Sequence, residues 1–282
     1  MKKVFIAGIG QFVGFALCNH LLEEGVQVAG YMKKQEDKQK QNIAEEKMML
    51  IGRNALFERL ESLKENNAYD AVFYCMTDPA DRVNENNSYF LKQCTNLSIQ
   101  QNIPFILVSS TEVFGDKQTV IEKETVPVPT TENGKSHFRQ EAEVQTLFGE
   151  TKLYRIVRIP GLYGPWQPVN MYVHQCIMSS LTGVKSNEIK SEETRDLIFI
   201  DDAVSSLLDI VKLNLYGGTV IHLSSMKNQW NQVAELFSEK LPGDSVFSLS
   251  KDIIHVVKNS VSLKEGIQMQ KEWIKQNLYI YQ

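Results

Sequence analysis

The sequence predicts an α/β protein built on a doubly wound parallel sheet with a smaller C-terminal lobe. Three observations predict it. Strand-like and helix-like segments alternate as far as residue 158, a glycine cluster joins the first strand to the first helix, and the alternation loosens after Pro160. The expected division is residues 1–160 as the core and 161–282 as a lobe with segments returning to it.

Residues 4–7 are a short β-branched and aromatic run, followed by Gly8, Gly10 and Gly14. Residues 12–24 place Phe12, Phe15, Ala16, Leu21 and Leu22 at helical spacing, and Gly25 closes that helix. Residues 26–29 form a second strand, and the polar stretch 33–47 is a solvated helix or loop. The apolar run 48–51 predicts a third strand, 54–64 a helix and 71–75 a fourth strand. Helices over 82–101 and 132–148 bracket a strand at 105–109, and 155–158 is the next strand. Beyond Pro160, helices are expected at 171–181, 203–213, 230–240 and 263–277, with a strand at 219–223. Strands separated by helices imply crossover connections and a parallel sheet.

Composition narrows the classes. With 43% hydrophobic and 23% charged residues among 282, the chain has enough apolar material for a core without disulfides or metals. A net charge of −4 argues against nucleic acid or anionic membrane as the main partner. Cys18, Cys75, Cys94 and Cys176 have no metal-ligand spacing and lie in or beside apolar stretches, so buried free thiols are expected. Cys75 stands out because it ends a core strand. Met1-Lys-Lys followed by a short apolar run suits a first buried strand better than a signal peptide. No run approaches the ~18 apolar residues of a membrane span. A cytoplasmic protein is expected.

The stretch Ala7-Gly-Ile-Gly-Gln-Phe-Val-Gly14 sits between strand and helix. Glycine there permits a tight turn and close approach to a pyrophosphate, whose charge the helix N-terminus favours. Two readings stay open: a Rossmann dinucleotide loop of Gly8, Gly10, Gln11, Phe12 and Gly14, or a tight turn with Gly14 serving packing alone. NAD-binding folds usually end the second strand with an acid on the ribose hydroxyls. Here Gly30-Tyr-Met-Lys-Lys34 has none. Lys33 and Lys34 would suit a 2′-phosphate and favour NADP over NAD, or they are solvated surface lysines.

Several segments resemble the extended short-chain dehydrogenases/reductases of the NAD-dependent epimerase/dehydratase type. Gly8 and Gly14 match the first and third glycines of their Gly-x-x-Gly-x-x-Gly loop, with Gln11 at the second and Gly10 one residue early. Arg53 falls where the family often has an Asp near the adenine. Ser109-Ser-Thr-Glu-Val-Phe-Gly115 resembles the Ser-Ser-x-x-Val-Tyr-Gly stretch, Arg158-Ile-Pro-Gly-Leu-Tyr-Gly-Pro165 the Arg-x-x-x-x-Tyr-Gly-Pro stretch, and Arg195-Asp196 the later Arg-Asp-Phe segment. The resemblance implies that Ser110 hydrogen-bonds the substrate oxygen undergoing redox and that Glu112 takes the base position of the sugar dehydratases. It also implies that Thr111, Tyr163 and Arg195 bind substrate, with Arg195 on a diphosphate. Asp202 matches an acid that caps the next helix.

The same frame carries a departure. The family's Tyr-x-x-x-Lys pair lies on the helix after Pro129, and Gly134, Ser136 and Glu141 fix its register. Asn133 then stands for the Tyr and His137 for the Lys. One turn apart, both face the nicotinamide in the family. A positioned acid or base is worth roughly 10²–10⁴ in rate, and Asn transfers no proton this way. His137 is either the ribose or proton partner in place of Lys, or a partly exposed helix histidine.

The resemblance implies an atypical NAD(P)-dependent nucleotide-sugar epimerase, dehydratase or reductase. The alternative is a catalytically inactive nucleotide- or cofactor-binding regulatory protein on the same scaffold. Expected partners are NADP or NAD and a nucleotide sugar or related small molecule, with no metal. A homodimer stays open.

Overall fold

The computed structural model describes residues 1–34, 37–64, 66–76, 85–115, 118, 120–151, 153–183, 196–213, 218–227, 229–237, 248–250 and 254–281. Contacts divide the chain into two compact units: Met1–Asp116 with Val126–Arg158 and Leu207–Ile221, and Lys117–Thr125 with Ile159–Ser206 and His222–Gln282. None of the described helices is long and apolar enough to cross a membrane.

In the first unit β1 (Lys3–Ala7), α1 (Phe12–Glu23), β2 (Gln27–Tyr31), α2 (Lys38–Ile51), β3 (Phe57–Leu60), β4 (Ala71–Tyr74), α3 (Glu85–Gln101) and β5 (Phe105–Ser110) follow one another. After a 3-10 turn at Thr111–Val113 and the short β6 (Val120–Ile121) of the second unit, α4 (Glu132–Phe148) and β7 (Tyr154–Ile159) complete the series. The strand order is β3-β2-β1-β4-β5-β7, extended by the first half of β10 (Thr219–Ser224). The pairings of β1 with β2 and β4, of β2 with β3 and of β4 with β5 are all parallel. A sheet covered on both faces needs apolar side chains on both, and all four residues of β4 are buried accordingly. Phe5, Tyr74, Leu91, Leu97, Phe105, Val144 and Phe148 form one side of that core. Each such side chain contributes about 1.5–3 kcal/mol when removed from water.

Two expected elements differ. Residues 48–51 are the end of α2, not a strand, and the third strand lies at Phe57–Leu60, inside the stretch expected as a helix. The run of four apolar residues was misleading because Met49 and Leu50 are exposed, each at 64%. The buried side chains of α2 are Ala44, Lys47, Met48 and Ile51, which follow a helical period once the lysine is counted with them. Asp37 starts the helix by accepting a hydrogen bond from the Lys40 N–H.

The second unit holds β8 (Gly161–Tyr163), α5 (Tyr172–Thr182), β9 (Leu197–Phe199), the start of α6 (Ile200–Lys212), the second half of β10, α7 (Gln229–Leu236), β11 (Ser248–Leu249), β12 (Ile254–Val256) and α8 (Leu263–Gln276). Here β8 pairs in parallel with β9, β11 with β6, and His222–Ser224 with β12. Asp196 ties its centre: the carboxylate accepts from Ser224 and Ser225 and from the Leu197 N–H, and its carbonyl accepts from the Trp230 indole. Asp202 does not cap a helix end. From the first turn of α6 it accepts hydrogen bonds from Ser260 and Val261, just before α8, which carries its own Ser262–Glu265 capping box.

Candidate functional site

The glycine loop follows β1. Gly8 sits at φ +93°, a conformation that favours glycine, and its N–H and that of Ile9 donate to the Tyr31 carbonyl at 2.8 and 3.1 Å. A Cβ on Gly14 would lie 2.2 Å from the Gly8 carbonyl oxygen, so α1 approaches the loop as closely as it does only without one. Gln11 is the N-cap of α1, yet its side chain makes no capping bond, leaving the helix N-terminus open toward an anion. Phe12 is buried beneath it. These features fit a diphosphate at the loop. The loop's back is closed by α2, where Lys47, 4% exposed, donates to the Gly10 carbonyl at 3.1 Å. Sequence reading took Lys47 as solvated; the signal for it was the helical spacing of Ala44, Lys47, Met48 and Ile51.

Lys33 is half-buried, and Lys34 and Arg53 are exposed. Tyr31, just before them, stacks on Phe90 with ring centroids 4.2 Å apart.

A second group forms where β5 ends against the start of α4. Ser110 is half-buried, and its hydroxyl oxygen accepts from the Glu112 N–H at 3.1 Å, fixing the 3-10 turn. The Glu112 carboxylate accepts from the Asn133 amide at 2.7 Å and from the Thr131 hydroxyl at 2.9 Å. Thr131 also caps α4 by accepting from the Gly134 N–H. Gly134 makes the junction possible, since a Cβ there would sit 2.1 Å from the Glu112 carbonyl oxygen. The structure thus brings Ser110, Glu112 and Asn133 together. Thr131 was not anticipated, because nothing local in the sequence joins it to a residue 19 positions earlier. Thr111 is buried.

His137 is not the partly exposed helix histidine of one reading. It is 5% exposed, and burial lowers its pKa to about 4, so the ring is neutral at pH 7. Its Nδ1 is buried without a hydrogen-bond partner among the described residues, as is Oε1 of Gln140, three residues on and on the same helix face. The Gln140 Nε2 donates to the Met76 carbonyl, just past β4. Below this face Arg158 makes a bidentate pair with Glu141 at 2.9 and 2.7 Å, and Ser109 donates to the same carboxylate.

Elsewhere the placements are less suggestive of chemistry. Cys75 is buried, and its thiol is pushed up to about 12 by burial, which leaves it protonated and inert. Tyr163 lies in the core of the second unit, 1% exposed, against Phe199 and Gly266; burial, then the charge of Asp202, raises its pKa. Its hydroxyl therefore holds its proton. Arg195 lies outside the described residues. Among the described residues, no group of three or more His, Cys, Asp or Glu side chains could hold a metal ion.

A parallel sheet whose first strand passes through a glycine turn into the first helix defines a Rossmann-type α/β protein. The sequence profile of the NAD dependent epimerase/dehydratase family matches residues 4–217, and the chain belongs to that family. The Bacillus subtilis (strain 168) protein YjaV is 38% identical over 72 residues, 26% of this chain and 38% of YjaV. The Escherichia coli (strain K12) protein YeeZ is 29% identical over 173 residues, 58% of this chain and 60% of YeeZ. The chain thus spans less than two thirds of the length of either relative. Among solved structures, a UDP-glucuronic acid 4-epimerase from Bacillus cereus in complex with NAD superposes with a TM-score of 0.73 at 18% identity, covering 99% of this chain and 100% of that one. A dTDP-glucose 4,6-dehydratase from Bacillus anthracis, also with NAD, gives 0.72 at 13% identity over 99% and 98% of the two chains. Such low identities speak to the fold.

Proposed function

We propose that the protein binds a nicotinamide dinucleotide at the Gly8–Gly14 loop and acts on a nucleotide sugar as an atypical epimerase, dehydratase or reductase. The observation that carries this reading is the meeting of Ser110 and Glu112, at and just past the end of β5, with Asn133 at the start of the helix that also carries His137. Bound there, the cofactor would supply reversible hydride transfer. Lys33, Lys34 and Arg53 are cationic where an acid usually selects NAD, which favours NADP. Arg195 is the substrate residue that the family resemblance suggests; Tyr163, closed inside the core of the second unit, is not retained as one.

The chain's own groups divide the chemistry as follows. The Ser110 hydroxyl would hydrogen-bond the sugar oxygen. Glu112, carrying two donors on its carboxylate, is held as an oriented base that can take a proton from carbon. A neutral His137 would serve as a hydrogen-bonding partner for ribose hydroxyls, together with Gln140, whose unpartnered Oε1 shares its helix face. It would not supply the positive charge of a lysine.

A second reading, a binding protein without turnover, is favoured by one observation: Asn133 spends its amide on Glu112, and the His137 that follows it on the same helix is held neutral by burial. Incubation with NAD or NADP and a panel of UDP- and dTDP-sugars in D₂O, followed by NMR, separates the two. The enzyme reading expects product or solvent deuterium in the sugar, abolished in Glu112→Gln. Saturable sugar-nucleotide binding with neither outcome supports the binding protein. Absence of cofactor and sugar binding at millimolar concentration rejects both.

A further inference from the structure

We propose that the sugar nucleotide reaches this site already oxidised, as a nucleotide-linked keto sugar, and that the chain's own step is removal of a proton from the carbon beside the carbonyl. An alcohol oxidation earlier in the reaction sequence would supply that ketone. The inference rests on the reading that Ser110 and Glu112 meet a nucleotide sugar, and it narrows the substrate class of that site.

The division between proton donors and acceptors at the junction of β5 and α4 carries it. Ser110, Glu112 and Asn133 are each half-buried, so a ligand can reach them. Oxidising an alcohol takes a hydride from carbon and a proton from oxygen, and a base must meet that oxygen. The Ser110 oxygen already accepts from the Glu112 N–H at 3.1 Å, which leaves its own proton to be donated. A donor suits an oxygen that carries no proton, and it binds more strongly as negative charge develops there. The Asn133 amide and the Thr131 hydroxyl are donors too, and both are directed at Glu112, at 2.7 and 2.9 Å. Glu112 is the acceptor of the group. Its carboxylate is held by the start of α4 rather than by the Ser110 hydroxyl two residues away, so donor and base address different atoms of a ligand. Enolisation of a ketone needs that arrangement, with a donor at the carbonyl oxygen and a base at the neighbouring carbon.

In this step the C–H bond breaks and its proton passes to Glu112. The electron pair becomes a C=C bond, the carbonyl pair moves onto oxygen, and the Ser110 hydroxyl stabilises the enolate. Return of a proton to carbon restores the ketone. No hydride moves, so the dinucleotide keeps its oxidation state.

The full chain with NAD or NADP is incubated in D₂O with dTDP-glucose and, separately, with a dTDP-linked 4-keto sugar made from it enzymatically. Proton NMR follows the carbons that flank the carbonyl, and nicotinamide absorbance is read in parallel. Expected are deuterium exchange in the keto sugar well above the protein-free rate, unchanged absorbance, and no exchange in dTDP-glucose. Exchange should slow by about 10²–10⁴ in Glu112→Gln and by about 10²–10³ in Ser110→Ala, with little change in affinity for the keto sugar. The comparison of wild type with the protein-free rate needs no variant to fold. Reduction of NAD or NADP by dTDP-glucose would overturn the inference, because the site then oxidises the alcohol itself, and would leave the enzyme reading standing. A keto sugar that binds without exchanging also overturns it and leaves the binding protein. If neither sugar binds, the nucleotide-sugar reading itself falls.

Discussion

Asn133 donates its side-chain amide to the Glu112 carboxylate across 2.7 Å. The two residues stand at the positions where the family resemblance puts the phenol and the sugar-dehydratase base, and here they are bonded to each other. An amide that donates to a carboxylate fixes its direction. The pair thus exchanges a proton donor for an orienting contact.

Replacing Asn133 by Asp should turn that contact into a repulsion. Two carboxylates at hydrogen-bonding distance raise the pKa of one of them. The variant is expected to lose about 1–2 kcal/mol at pH 7 in urea unfolding, relative to Asn133→Ala, and to recover much of it near pH 5 as the shared proton returns. Equal stability of the two variants at pH 7 would mean that the Glu112–Asn133 contact does not persist in solution.

His137 makes stability depend on pH in a defined window. Its folded pKa is lowered from 6.5 to about 4, so between those values the unfolded chain binds more protons than the folded one. Stability is fully present above pH 6.5 and falls as the pH drops toward 4. A shift of that size corresponds to roughly 3 kcal/mol. His174, lowered for the same reason to about 4, adds a parallel loss. Denaturant titrations of His137→Leu from pH 4 to pH 7 should show a visibly shallower slope than wild type. Superimposable profiles would place His137 in contact with water.

Much of the site's frame is legible in the sequence because it is local. A strand, three glycines and an apolar helical stripe announce the loop at Gly8–Gly14. What escaped was either masked by polarity or long-range. Lys47 reads as surface because lysine is rarely buried. The helix that carries it was cut short because Met48 to Ile51 imitates a strand. The partnership of Thr131 and Asn133 with Glu112 arises only when α4 packs on the end of β5, which no spacing rule foretells.

Arg158 and Glu141 form the buried pair under the candidate site, at 8% and 2% side-chain exposure. Removing one partner leaves the other charge unpaired in the interior. Arg158→Met is expected to cost about 3–5 kcal/mol. Adding Glu141→Gln should restore part of it, since the stranded carboxylate is then gone. Chemical denaturation of the single and double variants measures this directly, and a double variant no more stable than Arg158→Met would mean that packing of the guanidinium over Phe114, 4.8 Å away, matters more than its charge.

Gly134 gives the sharpest steric test. A methyl group there would lie 2.1 Å from the Glu112 carbonyl oxygen and 3.1 Å from the Thr131 hydroxyl. The first of these is backbone, so no side chain can swing aside; the start of α4 must move away from the 3-10 turn. Gly134→Ala should therefore cost about 1–3 kcal/mol and also break the bonds from Thr131 and Asn133 to Glu112. Gly149, at the far end of the same helix, is the control. It has φ +53° but open space around its missing Cβ, so alanine there strains the backbone without touching Glu112. Unfolding free energies of the two variants, with nucleotide-sugar binding to each, distinguish the effects. The expected result is comparable loss of stability in both and impaired binding only in Gly134→Ala. Unimpaired binding in that variant would remove the α4–β5 junction from the functional site.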